Sequence, residues 1–368
     1  MVSFGSREER GSYMFMPVFI CACAIPVSML FWIVNVVYSI LSPESLNSTE
    51  DFKMPTCCVL RCKNIIRKLY FYLAMNSSYP VISPWRWLAA VVIPFLFAFW
   101  GLRKKSVNIS GAMFGLLLGF ILTLSNYAHL MCLMTFFVTA SKATKFRSAQ
   151  KKKIEAEHKE GGQRNWVQVL CNGGMAAQLA VLYLLDVGCG ERPIDFDKDY
   201  RSSWLSIGIL GSFACCNGDT WASEFGTVIG TADPFLITTR KRVPRGTNGG
   251  VSWVGLLCSF LGGLIIGLLY YITILNTVDT AVLQLAAPQW PIIVLGGLAG
   301  FFGSILDSIF GATLQYSGVN EDGLIVERPA KGVKHISGKQ ILDNHSVNLL
   351  STVVIALTLP KIANIFWP

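Results

Sequence analysis

Two stretches of the chain set carboxylates, hydroxyls and glycines at helical spacing inside otherwise apolar sequence. The first is Asn217-Gly218-Asp219-Thr220-Trp221-Ala222-Ser223-Glu224. On a helix, Asp219 and Ser223 stand four residues apart on one face. Thr220 and Glu224 repeat that offset one step round, and Gly226 continues the Asp219 face two turns on. The second is a stripe of Gly300, Ser304, Asp307 and Gly311, with Ser308 beside Asp307 and Gln315 beyond. An acid at the centre of a membrane helix costs about 2.5–3.5 kcal/mol, and less near an end. Close packing accounts for the small residues by itself, since Gly and Ser faces let helices approach. It does not account for two carboxylates, although acids near a membrane end can simply be wet.

The loop after the first stretch gives the carboxylates something to do. From Thr238 to Ser252 it carries Arg240, Lys241, Arg242 and Arg245, then Gly246-Thr247-Asn248-Gly249-Gly250 just before a helix start. Glycine turns and helix N-termini present N–H groups that bind phosphate. Acids for a divalent ion beside cations and a glycine turn for phosphates are the parts needed for phosphoryl or nucleotidyl transfer. Asp219 and Asp307 are the candidate Mg²⁺ (or Mn²⁺) ligands, with Glu224 and Asp343 assisting. Asn172, Thr220, Ser223, Ser308 and Asn344 are candidate polar lining. No Walker pattern is present, so a P-loop enzyme is excluded. No Ser-His-Asp order or Gly-x-Ser-x-Gly elbow occurs either. The four histidines are scattered, and Cys57, Cys58 and Cys62 lack a fourth ligand for zinc.

These residues must be positioned by membrane helices. Of 368 residues, 52% are hydrophobic and 14% charged, against roughly 25% charged in soluble domains. Apolar runs occur at Met14–Leu41, Trp87–Gly101, Gly111–Ser141, Val167–Leu185, Trp204–Phe225, Val251–Leu275, Pro291–Leu314 and Val347–Trp367. Several reach the roughly 20 residues that cross a bilayer. The expected fold is therefore an all-α polytopic membrane protein. Residues 1–86 form an N-terminal helix and a long loop, and 87–368 a single transmembrane domain of catalytic type.

Gly111–Ser141 is too long for one untilted crossing, and Ser125-Asn126-Tyr127 at its middle offers a polar turn. Splitting it there gives nine helices; leaving it whole gives eight. With nine, 21 of the 31 Lys and Arg residues fall on one side, in the N-terminus and in the loops 102–110, 142–166, 226–250 and 315–346. By the excess of basic residues in cytoplasmic loops, that side is the cytosol. The basic clusters lie between apolar runs, not along one patch, so a nucleic-acid partner is excluded. The loop from Ser42 to Arg86 is then lumenal, with glycosylation candidates at Asn47 and Asn76 and an amphipathic segment, Arg61–Met75, that reads equally as an interfacial helix or a basic loop. Asp219, the 240–252 loop, Asp307 and Asp343 all meet the cytosolic membrane face in this scheme. Nothing in the sequence sets the oligomeric state.

Longer motifs carry a resemblance. Arg164-Asn165-Trp166-Val167-Gln168-Val169 with Asn172-Gly173, Gly218 to Glu224, Val243 to Ser252, Asp307-Ser308 with Gly311-Ala312-Thr313, and Asp343-Asn344 with Val347-Asn348 resemble the integral-membrane family that includes plant phytyl-phosphate kinase. The resemblance runs from about Pro84 to the C-terminus. It implies transfer of a phosphoryl group from CTP to a prenyl monophosphate in the bilayer, giving the diphosphate. In that reading the lipid tail lies between the glycine-faced helices, and the endoplasmic reticulum is the default membrane. Gly218-Asp219, Ala222-Ser223 and Gly246-Thr247 are also similar to the nucleotide region of CTP-dependent dolichol and phytol kinases. Two rival readings use the same residues: a transporter of a phosphorylated or anionic solute, and a scaffold that merely tolerates the acids.

Overall fold

The computed structural model describes residues 82–146, 163–229 and 233–367, together with Pro26, Leu30 and Ile33. Most of the first apolar run, the glycosylation candidates Asn47 and Asn76, and the Arg61–Met75 segment lie outside the described residues.

Among the described residues, eight long helices form the body: α1 (Pro84–Arg103), α2 (Ile109–Ser125), α3 (Tyr127–Lys145), α4 (Trp166–Asp186), α5 (Tyr200–Ile229), α6 (Trp253–Thr277), α8 (Pro291–Leu314) and α9 (Asn344–Phe366), with a short α7 (Thr280–Leu285) between α6 and α8. Five of them, α1, α4, α6, α8 and α9, are long and apolar enough to cross a membrane. The run from Gly111 to Ser141 does break at its polar middle. Asn126 is extended there, ends α2, and accepts a hydrogen bond from Ala128 N at 2.8 Å as the cap of α3. The other starts are also set by short polar side chains: Asn108 caps α2, Asn165 and Gln168 form a reciprocal capping box on α4, Ser252 caps α6 and Asp343 caps α9.

The centre of the bundle is α5, buried along most of its length and flanked by α3, α4, α6, α8 and α9. Glycine makes its closest contacts possible. A methyl group at Gly218 would lie 2.6 Å from Gly300 Cα, and one at Gly263 would lie 2.9 Å from Gly300 Cα. With Gly267 and Gly296, these positions bring the backbones of α5, α6 and α8 into direct contact, as small-residue faces do in membranes. Polar ties reinforce the packing. Asn217 donates to Gly262 O on α6 at 2.7 Å and accepts from Thr139 on α3 at 2.8 Å.

The loops sort to two ends as the charge pattern requires. At one end Val107 bridges to Arg164, Phe146 packs on Phe225, and the 244–250 loop meets the chain at Tyr316 and Ser317. At the other, Arg86 pairs with Glu191, Gly190 N donates to Ser125 O, and Gln289 bonds the backbone of Ile194. The all-α expectation needs one correction at the first end. Its loops fold into an antiparallel pair, β1 (Phe235–Leu236) with β2 (Gly250–Val251), and a three-stranded sheet ordered β4 (Ile325–Val326), β3 (Ser317–Val319), β5 (Lys334–Ser337). These loops must satisfy their own backbone N–H and C=O groups, and short ladders do so.

A polar cavity at one end of the bundle

A cavity of about 560 Å³ opens between the ends of α4, α5, α6, α8 and α9. Helix α5 supplies Asp219, Thr220, Ser223 and Glu224, and α8 supplies Ser304, Asp307 and Ser308. Both carboxylate helices therefore end at one chamber, although 88 residues separate Asp219 from Asp307 in sequence. Asp307 is held in place from α9: Ser351 Oγ donates to its Oδ2 at 3.1 Å, and the Asn348 amide nitrogen, oriented by this network, donates to the same oxygen at 3.1 Å.

The glycine turn forms a further part of the wall. Gly249 has φ of +77° and lies against α8, where a methyl group would come 2.6 Å from Ser308 O and 2.7 Å from Ala312 Cα. Only glycine combines that φ with that approach. Ile237 N donates to Gly249 O and Gly250 N to Thr247 O, while Asn248 N bonds Ser317 Oγ at 3.0 Å. Gly246, Thr247, Asn248, Gly249 and Gly250 all line the cavity.

Three helix starts also face it, through Gln168 on α4, Ser252 on α6, and Asp343 with Asn344 on α9. Each N-terminus carries the equivalent of about half a positive charge. Asp343 spends one oxygen on its cap, accepting from Ser346 N at 2.9 Å. Across the lining stand five carboxylates (Asp219, Glu224, Asp307, Glu327, Asp343) and three guanidiniums (Arg164, Arg245, Arg328). The chamber thus mixes groups that attract cations with groups that attract anions, which suits a metal–polyphosphate pair better than either ion alone.

Among the described residues, no three or more His, Cys, Asp or Glu side chains gather to enclose a metal by themselves. That donor set still fits Mg²⁺, which takes one or two carboxylates and completes its shell with water and substrate phosphates. Asp219 and Asp307 would supply two carboxylates of that kind, with the Thr220 and Ser308 hydroxyls in the same lining.

Of the residues singled out in sequence, Arg240 and Arg242 are not among the lining. Arg240 sits exposed in the turn after β1 at φ +57°, and Arg242 is exposed and donates to the Asp233 carbonyl. Only Arg245 of the loop arginines reaches the cavity wall, with its Nε 3.7 Å from Asp233 Oδ1. In their place come Arg328 and Glu327, which directly succeed β4, and Arg164. The Arg164 backbone pairs with the 106–108 segment, and its guanidinium bonds Ser141 Oγ at 3.0 Å and lies 6.0 Å over the Phe136 ring. Burial lowers the Arg164 pKa from its ordinary value and the Glu224 charge raises it; arginine stays charged throughout. Arg164 was legible only as part of the α4 entry motif, and nothing local distinguished Arg328 from other basic loop residues.

Known proteins place the chain. It is 42% identical over 282 residues to Protein PGR of Arabidopsis thaliana, covering 76% of this chain and 97% of that protein. It is 33% identical to the uncharacterized membrane protein sll0875 of Synechocystis over 62% of this chain and 81% of that one. To Protein VTE6, chloroplastic, of Arabidopsis thaliana, it is 29% identical over 62% of this chain and 63% of that one. No solved structure matches it. The family model described as integral membrane protein DUF92 matches residues 92–356, a span that holds every helix from α2 to α8 and every cavity residue named above, and the chain belongs to that family.

Proposed function

We propose that the protein is a membrane-embedded kinase that transfers a phosphoryl group from CTP to a prenyl monophosphate at the cytosolic membrane face. The observation that carries this reading is the convergence of Asp219, Asp307, the 246–250 turn and three helix N-termini on one chamber at the end of an apolar bundle. The resemblance to the family that includes plant phytyl-phosphate kinase supplies the acceptor class and the nucleotide.

In the reaction an oxygen of the acceptor phosphate attacks the γ-phosphorus of CTP. The bond from that phosphorus to the β–γ bridging oxygen breaks, CDP leaves, and a prenyl diphosphate remains. A phosphate monoester has a second pKa near ~6, so it is already largely a dianion at pH 7. No side chain has to remove a proton. What the protein must do is bring two polyanions together, which is positioning and charge neutralisation. The helix starts and the Gly246 and Gly249 N–H groups of the turn hold phosphate oxygens, and Arg164, Arg245 and Arg328 offset their charge. Asp219 and Asp307 are the residues that would hold Mg²⁺, or Mn²⁺, with Glu224 and Asp343 alongside. When bound, that ion supplies neutralisation between donor and acceptor phosphates. Ser351 and Asn348 keep the Asp307 carboxylate aimed.

The test is a survey with purified full-length protein in detergent, giving prenyl monophosphates of several chain lengths with Mg²⁺ and γ-labelled CTP or ATP. Label in a prenyl diphosphate, greater from CTP, is the expected result. Folded protein that transfers none to any chain length refutes the kinase. The membrane itself, with the endoplasmic reticulum as the proposed location, is checked by imaging a tagged chain.

A further inference from the structure

We propose that a second, apolar groove between α1, α2, α3 and α4 seats the first part of the substrate's lipid chain, with Arg164 at its mouth gripping the phosphate. This rests on the proposed function, in which the acceptor is a lipid monophosphate, and it names where that lipid lies.

The groove encloses about 80 Å³ and is lined by Ile93 and Phe97 of α1, Gly115 of α2, and Leu133, Met134 and Phe137 of α3, among others. Among the described residues its lining contains just two polar ones, Arg164 and Asn172, and both also line the polar cavity. An apolar channel whose only polar end opens into a phosphate-type chamber has the amphipathic pattern of a lipid phosphate. The α1 wall of the groove is thin: among the described residues that helix packs chiefly on α2, and its other face leaves the apolar Val91, Val92, Phe95 and Phe99 exposed. Pro94 cannot donate a helix hydrogen bond, and its ring seats against Gly119, shaping the groove wall.

The route expected from sequence, between the glycine-faced helices, is closed. There the α6 and α8 backbones touch: a methyl at Gly267 would come 2.6 Å from Ile292 O, and one at Gly296 would come 2.7 Å from Gly263 O. Gly115 is different. A methyl group at that position meets nothing within 4 Å, so its missing side chain leaves open space in the groove and not a helix contact.

Arg164 has the geometry of a positioning group. Its backbone is fixed by Asn108 N and Ser106 O, and Ser141 and the Phe136 ring hold the guanidinium between the two chambers. A planar fork of donors suits a phosphate that must be held while its chain runs the other way.

The experiment uses the full chain in nanodiscs and a prenyl monophosphate carrying a chain diazirine and a terminal alkyne. Irradiation should label peptides of α1 and α3. Excess prenyl monophosphate should remove the label, and the corresponding prenol should not. Gly115→Leu should cut labelling at least fivefold with no loss of thermal stability, and Gly115→Ala should keep it within twofold. Arg164→Gln should weaken competition by the monophosphate at least tenfold. Label competed by the monophosphate but mapping to α6 or α8 would overturn the groove and leave the kinase reading standing. Groove label removed equally by prenol would mark an ordinary bilayer lipid and also overturn it. Absence of any phosphate-competed label on folded protein would overturn the lipid-phosphate reading and the groove with it.

Discussion

Replacing Gly249 by alanine should detach the glycine turn from α8 while leaving the bundle intact. Two penalties add at this residue. Its φ of +77° is left-handed, which costs an L-residue roughly 1–2 kcal/mol. The new methyl would also come 2.6 Å from Ser308 O and 2.7 Å from Ala312 Cα, and overpacking of this kind costs about 1–3 kcal/mol. The neighbouring groups are the Ser308 carbonyl and the Cα and Cβ of Ala312, none of which can swing aside as the far end of a flexible side chain would. Together the turn should lose about 2–5 kcal/mol of docking energy, or about 30-fold to a few thousand-fold in its opening equilibrium. Hydrogen exchange read by mass spectrometry on the detergent-solubilised protein reports this directly, through the amides of Ile237, Asn248 and Gly250 that the turn protects. Gly323→Ala is the control, since Gly323 has φ of +78° but meets nothing within 4 Å. It should leave those three amides unchanged. Exchange at them rising less than about fivefold in Gly249→Ala would refute the argument that contact with α8 holds the turn.

Other perturbations separate structural from chemical roles. Asp343→Asn should keep the helix cap, because an amide oxygen caps nearly as well, and stability should stay within about 0.5 kcal/mol. Turnover should nonetheless fall at least tenfold in the transfer assay; unchanged turnover would leave Asp343 a cap alone. Asn348→Leu removes a donor that orients Asp307, so metal dependence measured by Mg²⁺ titration should weaken about 10–100-fold. At the far end, Arg86 and Glu191 form an ion pair with side chains 8% and 17% exposed, and Arg86 also donates to Leu124 O and lies 4.5 Å over the Tyr127 ring. Arg86→Met should destabilise the protein by about 3 kcal/mol by leaving Glu191 with little compensation. The double change with Glu191→Gln should recover most of that in thermal melts, without affecting the cavity.

The helices were readable wherever burial in lipid demands an unbroken apolar run, and the break at Asn126 was readable because a capping side chain sits in the middle of one. The ends were less so. Helix α5 runs from Tyr200 to Ile229, beyond the apolar run of Trp204 to Phe225, because Arg201-Ser202-Ser203 before that run is polar and leaves no hydropathy signal, and the turn after it opens on Gly226-Thr227. The acids on α5 and α8 were legible since an intramembrane carboxylate needs a reason. Which loop arginines face the chamber was not. Four cations in one loop look alike in sequence, and only the β1–β2 pairing turns Arg240 and Arg242 outward while leaving Arg245 at the wall. Strands of two to four residues are too short to show a period of two. That is why the sheet next to Arg328 went unseen, and Arg328 with it. The groove was missed for a similar reason: glycines that pack helices and glycines that leave space have the same one-letter signature.

The central claim is that the polar chamber performs phosphoryl transfer with Asp219 as an indispensable carboxylate. Single-turnover transfer of the γ-phosphoryl of CTP to a prenyl monophosphate, measured side by side for the natural chain and Asp219→Asn at equal melting temperature, tests it most directly. The account predicts labelled prenyl diphosphate from the first and a loss of at least a thousandfold in the second, about 4 kcal/mol of transition-state stabilisation. Equal rates from the two proteins would contradict it.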